Sequence, residues 1–182
     1  MDRRPLKLLN WNACSLRRKN LELVDFLREK EIDVAAITET HFKPGEKVYL
    51  QTYKTATQLD RTTSGGGGVL VAVHRDLMPR RLPHFKLDII EAVGVEISTS
   101  AGPVLFIAAY CPHQVNARDG SAAKLKSDIQ KLTRRTAKFI IAGDLNAKHE
   151  AWGNTRRNRN GVILHNDLQN GYYTDKNPFP FS

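Results

Sequence analysis

Lys138-Phe139-Ile140-Ile141-Ala142-Gly143-Asp144-Leu145-Asn146-Ala147-Lys148-His149 is the stretch on which the fold turns. Lys138 to Ala142 has the length and apolar content of a buried strand. Gly143 is expected to break it, and two oxygen-bearing side chains follow, Asp144 and Asn146. Alternation along an extended backbone aims both the same way, out of the strand's carboxyl end. An acid beside an amide suits metal-assisted chemistry on a phosphate. Gly, Asp and Asn are also ordinary turn residues, so the stretch alone leaves both possibilities open.

Moving outward, a helix is expected from about Ser121 to Arg135. Ala122, Leu125, Ile129 and Leu132 share one face, and Lys124, Lys126, Lys131, Arg134 and Arg135 coat the other, as on a solvated helix. Before it, Asp88 to Ser98 and Pro103 to Tyr110 read as consecutive strands joined at Ser100-Ala101-Gly102, the second ending in Tyr110-Cys111-Pro112. Beyond the central stretch come His149-Glu150-Ala151-Trp152-Gly153 and a basic, Asn-rich loop over Asn154 to Asn160. A short helix follows from Gly161 to about Gln169. Tyr172-Tyr173-Thr174 starts another strand, and the sequence runs out through Asn177-Pro178-Phe179-Pro180-Phe181-Ser182.

The first half opens with a strand over Leu6 to Asn12. Asn20 is placed to cap a helix over Leu21 to Glu29 whose apolar face is Leu21, Val24 and Leu27. Ile32 to Ile37 is the second strand, leading into Thr38-Glu39-Thr40-His41, so the opening is a βαβ-like unit. Asn12 and Glu39 both fall at the ends of strands, where open α/β folds gather ligands. Tyr49 to Leu59 is a weaker strand candidate. Gly65-Gly66-Gly67-Gly68 lacks the Gly-Lys-Ser/Thr ending of a P-loop, and the buried strand Val69 to Val73 follows it rather than a helix. It reads as a loop whose last glycines let a strand pack closely. Pro79, Arg80, Arg81, Pro83 and His84 form a basic turn.

With 182 residues, residues 1–182 make one domain, and 41% apolar content supports a core. The net charge of +9 points to a polyanionic partner, nucleic acid before an anionic membrane surface, though a protein can simply be basic. Cys14 and Cys111 have no zinc spacing and make no disulfide framework, so a reducing compartment is the default. No signal peptide fits the N-terminus, and the longest apolar run, Val104 to Cys111, is far too short to span a bilayer, so no membrane partner is expected.

Asn12, Glu39, Tyr110 and the Asp144/Asn146 pair thus sit at candidate strand ends. Each alone is an ordinary cap or turn residue. Together they are hard oxygen donors and a phenol, a set that suits Mg²⁺ or Mn²⁺ rather than zinc. Leu9-Asn10-Trp11-Asn12, Ile37-Thr38-Glu39-Thr40-His41, Gly66-Gly67-Gly68-Val69, Tyr110-Cys111-Pro112 and Gly143-Asp144-Leu145-Asn146-Ala147 resemble the motifs of the exonuclease–endonuclease–phosphatase superfamily, in its order. His149-x-x-Trp152-Gly153 and Asn160-Gly161-x-x-Leu164 are similar to its non-LTR retrotransposon branch, the apurinic-type endonuclease domain of jockey-like elements.

The resemblance implies a four-layer α/β sandwich: two mainly antiparallel sheets face to face, helices outside, and the active site at one end of the sheets. It implies that Glu39 is the main metal ligand, with Asn12 helping to hold the ion. Asp144 would position or deprotonate the attacking water, Asn146 would orient Asp144 and contact the phosphate, and Tyr110 would donate to a phosphate oxygen. It further implies DNA as partner, Mg²⁺ (or Mn²⁺) as cofactor, and intracellular, nuclear action that nicks a target strand to prime reverse transcription. The family also carries a C-terminal Ser-Asp-His motif. None of His41, His74, His84, His113, His149 and His165 lies in that context, so the domain is expected to be incomplete at its C-terminus, its last strands missing, and the fragment by itself to be weakly active or inactive. His149 is expected to pack near Trp152 or cap its loop. The alternatives are a host apurinic/apyrimidinic repair endonuclease, which the retrotransposon-type motifs disfavour, and a non-catalytic nucleic-acid-binding remnant. For the latter, Arg17-Arg18-Lys19, Arg80-Arg81 and Arg156-Arg157 with Arg159 are basic clusters able to track phosphates.

Overall fold

The structure is a computed structural model that describes residues 4–62, 66–112, 115–116, 118–134 and 138–171. The expected Tyr172–Thr174 strand, the closing Asn177–Ser182 segment, His113, Gly65 and Arg135 lie outside the described residues. The chain forms two compact units. The first is Met1–Phe85, Glu91–Tyr110 and Thr136–Asp144; the second is Lys86–Ile90, Cys111–Arg135 and Leu145–Ser182.

The first unit holds two sheets. One comprises β1 (Leu8–Asn12), β2 (Val34–Thr38), β3 (Tyr53–Leu59) and β4 (Val69–His74) in the order β1-β2-β4-β3. The other comprises β5 (Arg80–Arg81), β6 (Glu91–Thr99), β7 (Gly102–Tyr110) and β8 (Phe139–Asp144), in sequence order. Each sheet has one parallel pair, β1–β2 and β7–β8, and its remaining pairs are antiparallel. This is the α/β architecture with two facing, mainly antiparallel sheets that the resemblance implies, and neither sheet closes into a barrel.

Period-two alternation sorts the side chains into layers. Val34 and Ala36 of β2, with Val69, Val71 and Val73 of β4, face Val93, Val95, Ile97, Phe106 and Ala108 of the other sheet. The intervening Ala35, Ile37, Leu70 and Ala72 face the other way, into a cluster with Leu23, Val24 and Leu27 of helix α1 (Asn20–Glu29). Strands β2 and β4 are therefore buried on both faces, which explains why they read as continuous apolar runs. Two details of α1 differ from expectation. Asn20 is the first helical residue rather than the cap, and Lys19, the N-cap, makes no side-chain capping bond. Leu21 is 66% exposed and its place on the inner face is taken by Leu23, because at about 100° per residue Leu23, Leu27 and Val24 form one stripe and Leu21 falls to its side.

Strand β8 also differs. It runs through Gly143 to Asp144 instead of breaking at the glycine. A Cβ on Gly143 would lie 1.8 Å from the Ala109 carbonyl oxygen, so the glycine is there for close approach of β7, not for chain reversal. The strand is half-buried, with Ile140 exposed, because it lies at the end of its sheet order. Arg80-Arg81, expected as a turn, pairs with β6 as a two-residue strand, and Arg80 forms a two-pronged ion pair with Glu96 at 3.0 and 2.7 Å.

The second unit holds helices α2 (Ser121–Thr133) and α3 (Arg159–Asn170), which pack together. Its unanticipated feature is Asp128. Periodicity puts Ala122, Leu125, Ile129 and Leu132 on the inner face of α2; the last three are buried, Ala122 is only half-buried, and Asp128 lies fully buried with them. Its carboxylate accepts from the backbone N–H groups of Asp88, Ile89 and Ile90 at 2.7 to 3.1 Å. The Asn-rich loop is built the same way. Asn158 caps α3 by accepting from Gly161 N, and buried Asn160 accepts from Val115 N and donates to the Leu145 carbonyl. His149 accepts from Ala151 N and stacks on His165 at 4.0 Å, with Trp152 beside it, as the structural expectation had it.

Candidate active site

The two parallel strand pairs determine where the polar strand ends meet. In register, Asn12 of β1 is opposite Thr38 of β2, so Glu39 is the next residue outward. Tyr110 of β7 is opposite Asp144 of β8. A parallel pair brings both carboxyl ends to one edge. Asn12, Glu39, Tyr110 and Asp144 all belong to the first unit, and they converge.

Asn12 ties them together. Its Nδ2 donates to Glu39 Oε1 at 2.8 Å and to Asp144 Oδ2 at 3.1 Å. Its Oδ1 accepts from Cys14 N at 3.1 Å, which fixes the amide plane. The Tyr110 hydroxyl lies beside the Glu39 carboxylate. Burial pushes the Tyr110 phenol up to about 12, and the Glu39 carboxylate adds to the effect. Tyr110 is therefore a neutral O–H donor across the physiological range. Neighbouring Asn10 donates to the Gly143 carbonyl at 3.2 Å, a further tie between β1 and the end of β8.

Glu39 sits in a strained segment. Glu39 and His41 both have left-handed backbones, with φ of 53° and 55°, and Thr40 between them is fully buried. Such conformations persist only where the surroundings over-determine them. Here Ser15 N and Leu16 N donate to the Glu39 and Thr40 carbonyls, while Thr40 N and His41 N donate to the Gly68 and Gly67 carbonyls. The last glycine of the run admits this approach: a Cβ on Gly68 would lie 2.5 Å from Thr40 Oγ1. Gly68 N in turn donates to Glu91 Oε2 at 2.7 Å, and Arg61 pairs with Glu91 at 2.5 Å. The Arg61 guanidinium lies 5.9 Å from the centre of the Tyr110 ring.

Arg61, Glu91 and His41 are site neighbours that sequence reasoning missed. Only the motif around Glu39 and the adjoining glycines hinted at them. Asn146 is the site residue whose placement departs from expectation. It lies beyond the end of β8 with φ 47°, so the alternation invoked for Asp144 and Asn146 stops at Asp144. Within the second unit, its Nδ2 donates to the Cys111 carbonyl at 2.8 Å and its own carbonyl accepts from Asn158. The first two basic clusters are partly tied up. Arg17 pairs with Glu46, Lys19 reaches the Ala13 carbonyl at 2.5 Å, and Arg80 pairs with Glu96.

The donor set fits a divalent cation. Two carboxylates gather on one neutral amide, and the phenol that reaches Glu39 is neutral too. The Asn12 amide turns its N–H to that space and its Oδ1 to Cys14 N, so the two carboxylates are the oxygen donors there. Such hard oxygen groups match Mg²⁺ or Mn²⁺. Among the described residues no three His, Cys, Asp or Glu side chains form a metal cage. Mg²⁺ is usually held by one or two carboxylates, with water and phosphate completing its sphere.

Known proteins resemble this chain in sequence and in fold. Residues 9–182 match the endonuclease/exonuclease/phosphatase family model. A probable RNA-directed DNA polymerase from transposon X-element of Drosophila melanogaster is 35% identical over 174 residues, 91% of this chain and 18% of that protein. The RNA-directed DNA polymerase from mobile element jockey of Drosophila funebris is 29% identical, over 95% of this chain and 18% of its own length. The chain thus spans about a fifth of these curated relatives. Among solved structures, the endonuclease domain of TRAS1, a telomere-specific non-LTR retrotransposon, superposes with a TM-score of 0.68 at 21% identity, covering 91% of this chain and 70% of that one. The AP endonuclease LMAP from Leishmania major gives 0.65 at 14%, covering 90% and 66%. Those low identities speak for the fold, while the family match runs over residues 9–182: this chain belongs to the endonuclease/exonuclease/phosphatase family.

Proposed function

We propose that residues 1–182 are a catalytic domain that nicks DNA by Mg²⁺-dependent phosphodiester hydrolysis, the step that primes target-site reverse transcription in a non-LTR retrotransposon, acting in the nucleus. The observation that supports it most is the Asn12 amide joined to both Glu39 and Asp144. Glu39 would hold the cation, and Asn12 would assist by orienting its carboxylate. When bound, the cation supplies Lewis-acid polarisation of the phosphate and offsets charge on the leaving oxygen. Asp144, held at a fixed distance from Asn12, takes the proton of the attacking water. Tyr110, still protonated at neutral pH, donates to a non-bridging phosphate oxygen as charge builds there. Such a fixed donor is worth roughly 10²-fold or more in rate. For Asn146, the support is the family resemblance alone, and Asn146→Ala tests its part. The net charge of +9 supports a DNA partner, through phosphate contacts that weaken with salt.

Relaxation of supercoiled plasmid provides the test. The expected result is Mg²⁺-dependent nicking, abolished by chelation and by Glu39→Ala or Asp144→Ala. Equal nicking by wild type and both variants would remove the catalytic assignment. Cleavage confined to oligonucleotides with an abasic site would favour a repair endonuclease instead.

A further inference from the structure

We propose that His41 is a positioning residue for Glu39, fixing the second carboxylate oxygen through its Nε2–H. The proposal rests on the assignment of Glu39 as cation ligand and adds to it. Glu39 Oε1 is already held by Asn12. Oε2 lies 3.5 Å from His41 Nε2, and that ring nitrogen is buried without a hydrogen-bond partner. A buried polar atom left unpaired is unfavourable and calls for a reason. The ring also has little room to retreat, since a Cβ on Gly66 would lie 3.0 Å from Nε2. Its backbone is pinned by His41 N donating to the Gly67 carbonyl, in a left-handed conformation that a histidine adopts only under constraint.

The arrangement brackets Glu39. Asn12 holds one oxygen from β1, and His41 stands at the other from the strand-end segment itself. A small approach of the ring closes the 3.5 Å gap to a hydrogen bond. The Arg61–Glu91 pair supports this indirectly by anchoring Gly68, which holds Thr40 in place. A metal-ligating carboxylate steered in this way binds its ion about 10- to 100-fold more tightly than a free one.

The test is Mn²⁺ binding to the metal-free protein, read by electron paramagnetic resonance, with metal-free melting temperatures measured alongside. Wild type binds and Glu39→Gln does not, which isolates the underlying site. His41→Phe keeps the ring and removes the donor, and is expected to weaken Mn²⁺ binding about tenfold. His41→Gln restores a donor and most of the affinity, whereas the shorter His41→Asn does not. If His41→Phe fails to fold, the Gln and Asn variants decide the matter. Wild-type affinity in His41→Phe or His41→Asn, or a loss in His41→Gln as large as in His41→Phe, overturns the positioning role while leaving Glu39 as ligand. Undiminished binding by Glu39→Gln, or no binding by wild type, removes the ligand assignment and the role of His41 with it.

Discussion

Two carboxylate sites in this protein are satisfied in opposite ways. Asp128 is fully buried and accepts from the backbone N–H groups of Asp88, Ile89 and Ile90. Lys131 Nζ stands 3.4 Å away as well. Its lone pairs are used within its own unit, which marks a residue that holds chain segments together. Glu39 and Asp144 instead share one amide nitrogen, and Glu39 stands on a left-handed backbone. Two like-charged groups that share a neutral amide repel each other, and a cation between them would relieve that repulsion. The proposed cation site thus differs from the structural acid in its donors, where residue type alone does not distinguish them.

The largest effect that tests this contrast is catalytic. Glu39→Ala or Asp144→Ala is expected to lower Mg²⁺-dependent nicking by at least about 10³-fold, from several kcal/mol of lost transition-state stabilisation. Their circular dichroism and melting curves without metal stay near wild type. Asp128→Ala is expected to do the reverse: it leaves buried N–H groups without an acceptor and costs about 3 kcal/mol of stability, while nicking per folded molecule is kept. Denaturant unfolding measures the loss. A melting temperature unchanged in Asp128→Ala would erase the distinction.

Tyr110→Phe comes next, with a rate loss of about 10²-fold. It also has a signature at high pH. The folded phenol is pushed up to about 12, above the ordinary value of 10. Between these values the unfolded chain has released this proton and the folded chain keeps it. Stability therefore falls as pH rises through that window, by up to about 1.4 kcal/mol per pH unit from this group. Burial also raises the Tyr53 phenol, and that contribution is common to both proteins. The difference in slope between wild type and Tyr110→Phe, read from unfolding curves, isolates Tyr110.

The smallest effect concerns the metal-free state. Asp144→Asn relieves the repulsion with Glu39 and is expected to raise metal-free stability by up to about 1 kcal/mol. A marked loss instead would mean that Asp144 is structural, as Asp128 is.

Much of the first unit was legible in the sequence because one physical signal dominates it. Strands such as Val34–Thr38 and Val69–His74 are buried on both faces, so composition alone marks them. The polar residues that interrupt these patterns at the strand ends, Asn12, Glu39, Tyr110 and Asp144, are those that converge. Gly143 misled because a glycine needed for close approach to Ala109 looks, in sequence, like one that ends a strand. Asp128 was hidden because its partners are backbone N–H groups, which leave no trace in side-chain pattern. Arg61 and Glu91 were hidden for a related reason. They lie far apart in sequence, and each is an ordinary surface residue until the sheets bring them together. Asn146 lies past the reach of strand alternation, in a loop whose path local pattern does not encode.

The most direct measurement is thermal unfolding with and without Mg²⁺ for wild type and Glu39→Gln. A ligand that binds only the folded state at a hundred times its dissociation constant adds about 2.7 kcal/mol. Wild type should therefore gain several degrees with saturating Mg²⁺, and Glu39→Gln little or nothing. The same Mg²⁺ shift in both proteins, or none in wild type, would contradict a cation site at Glu39 and Asp144.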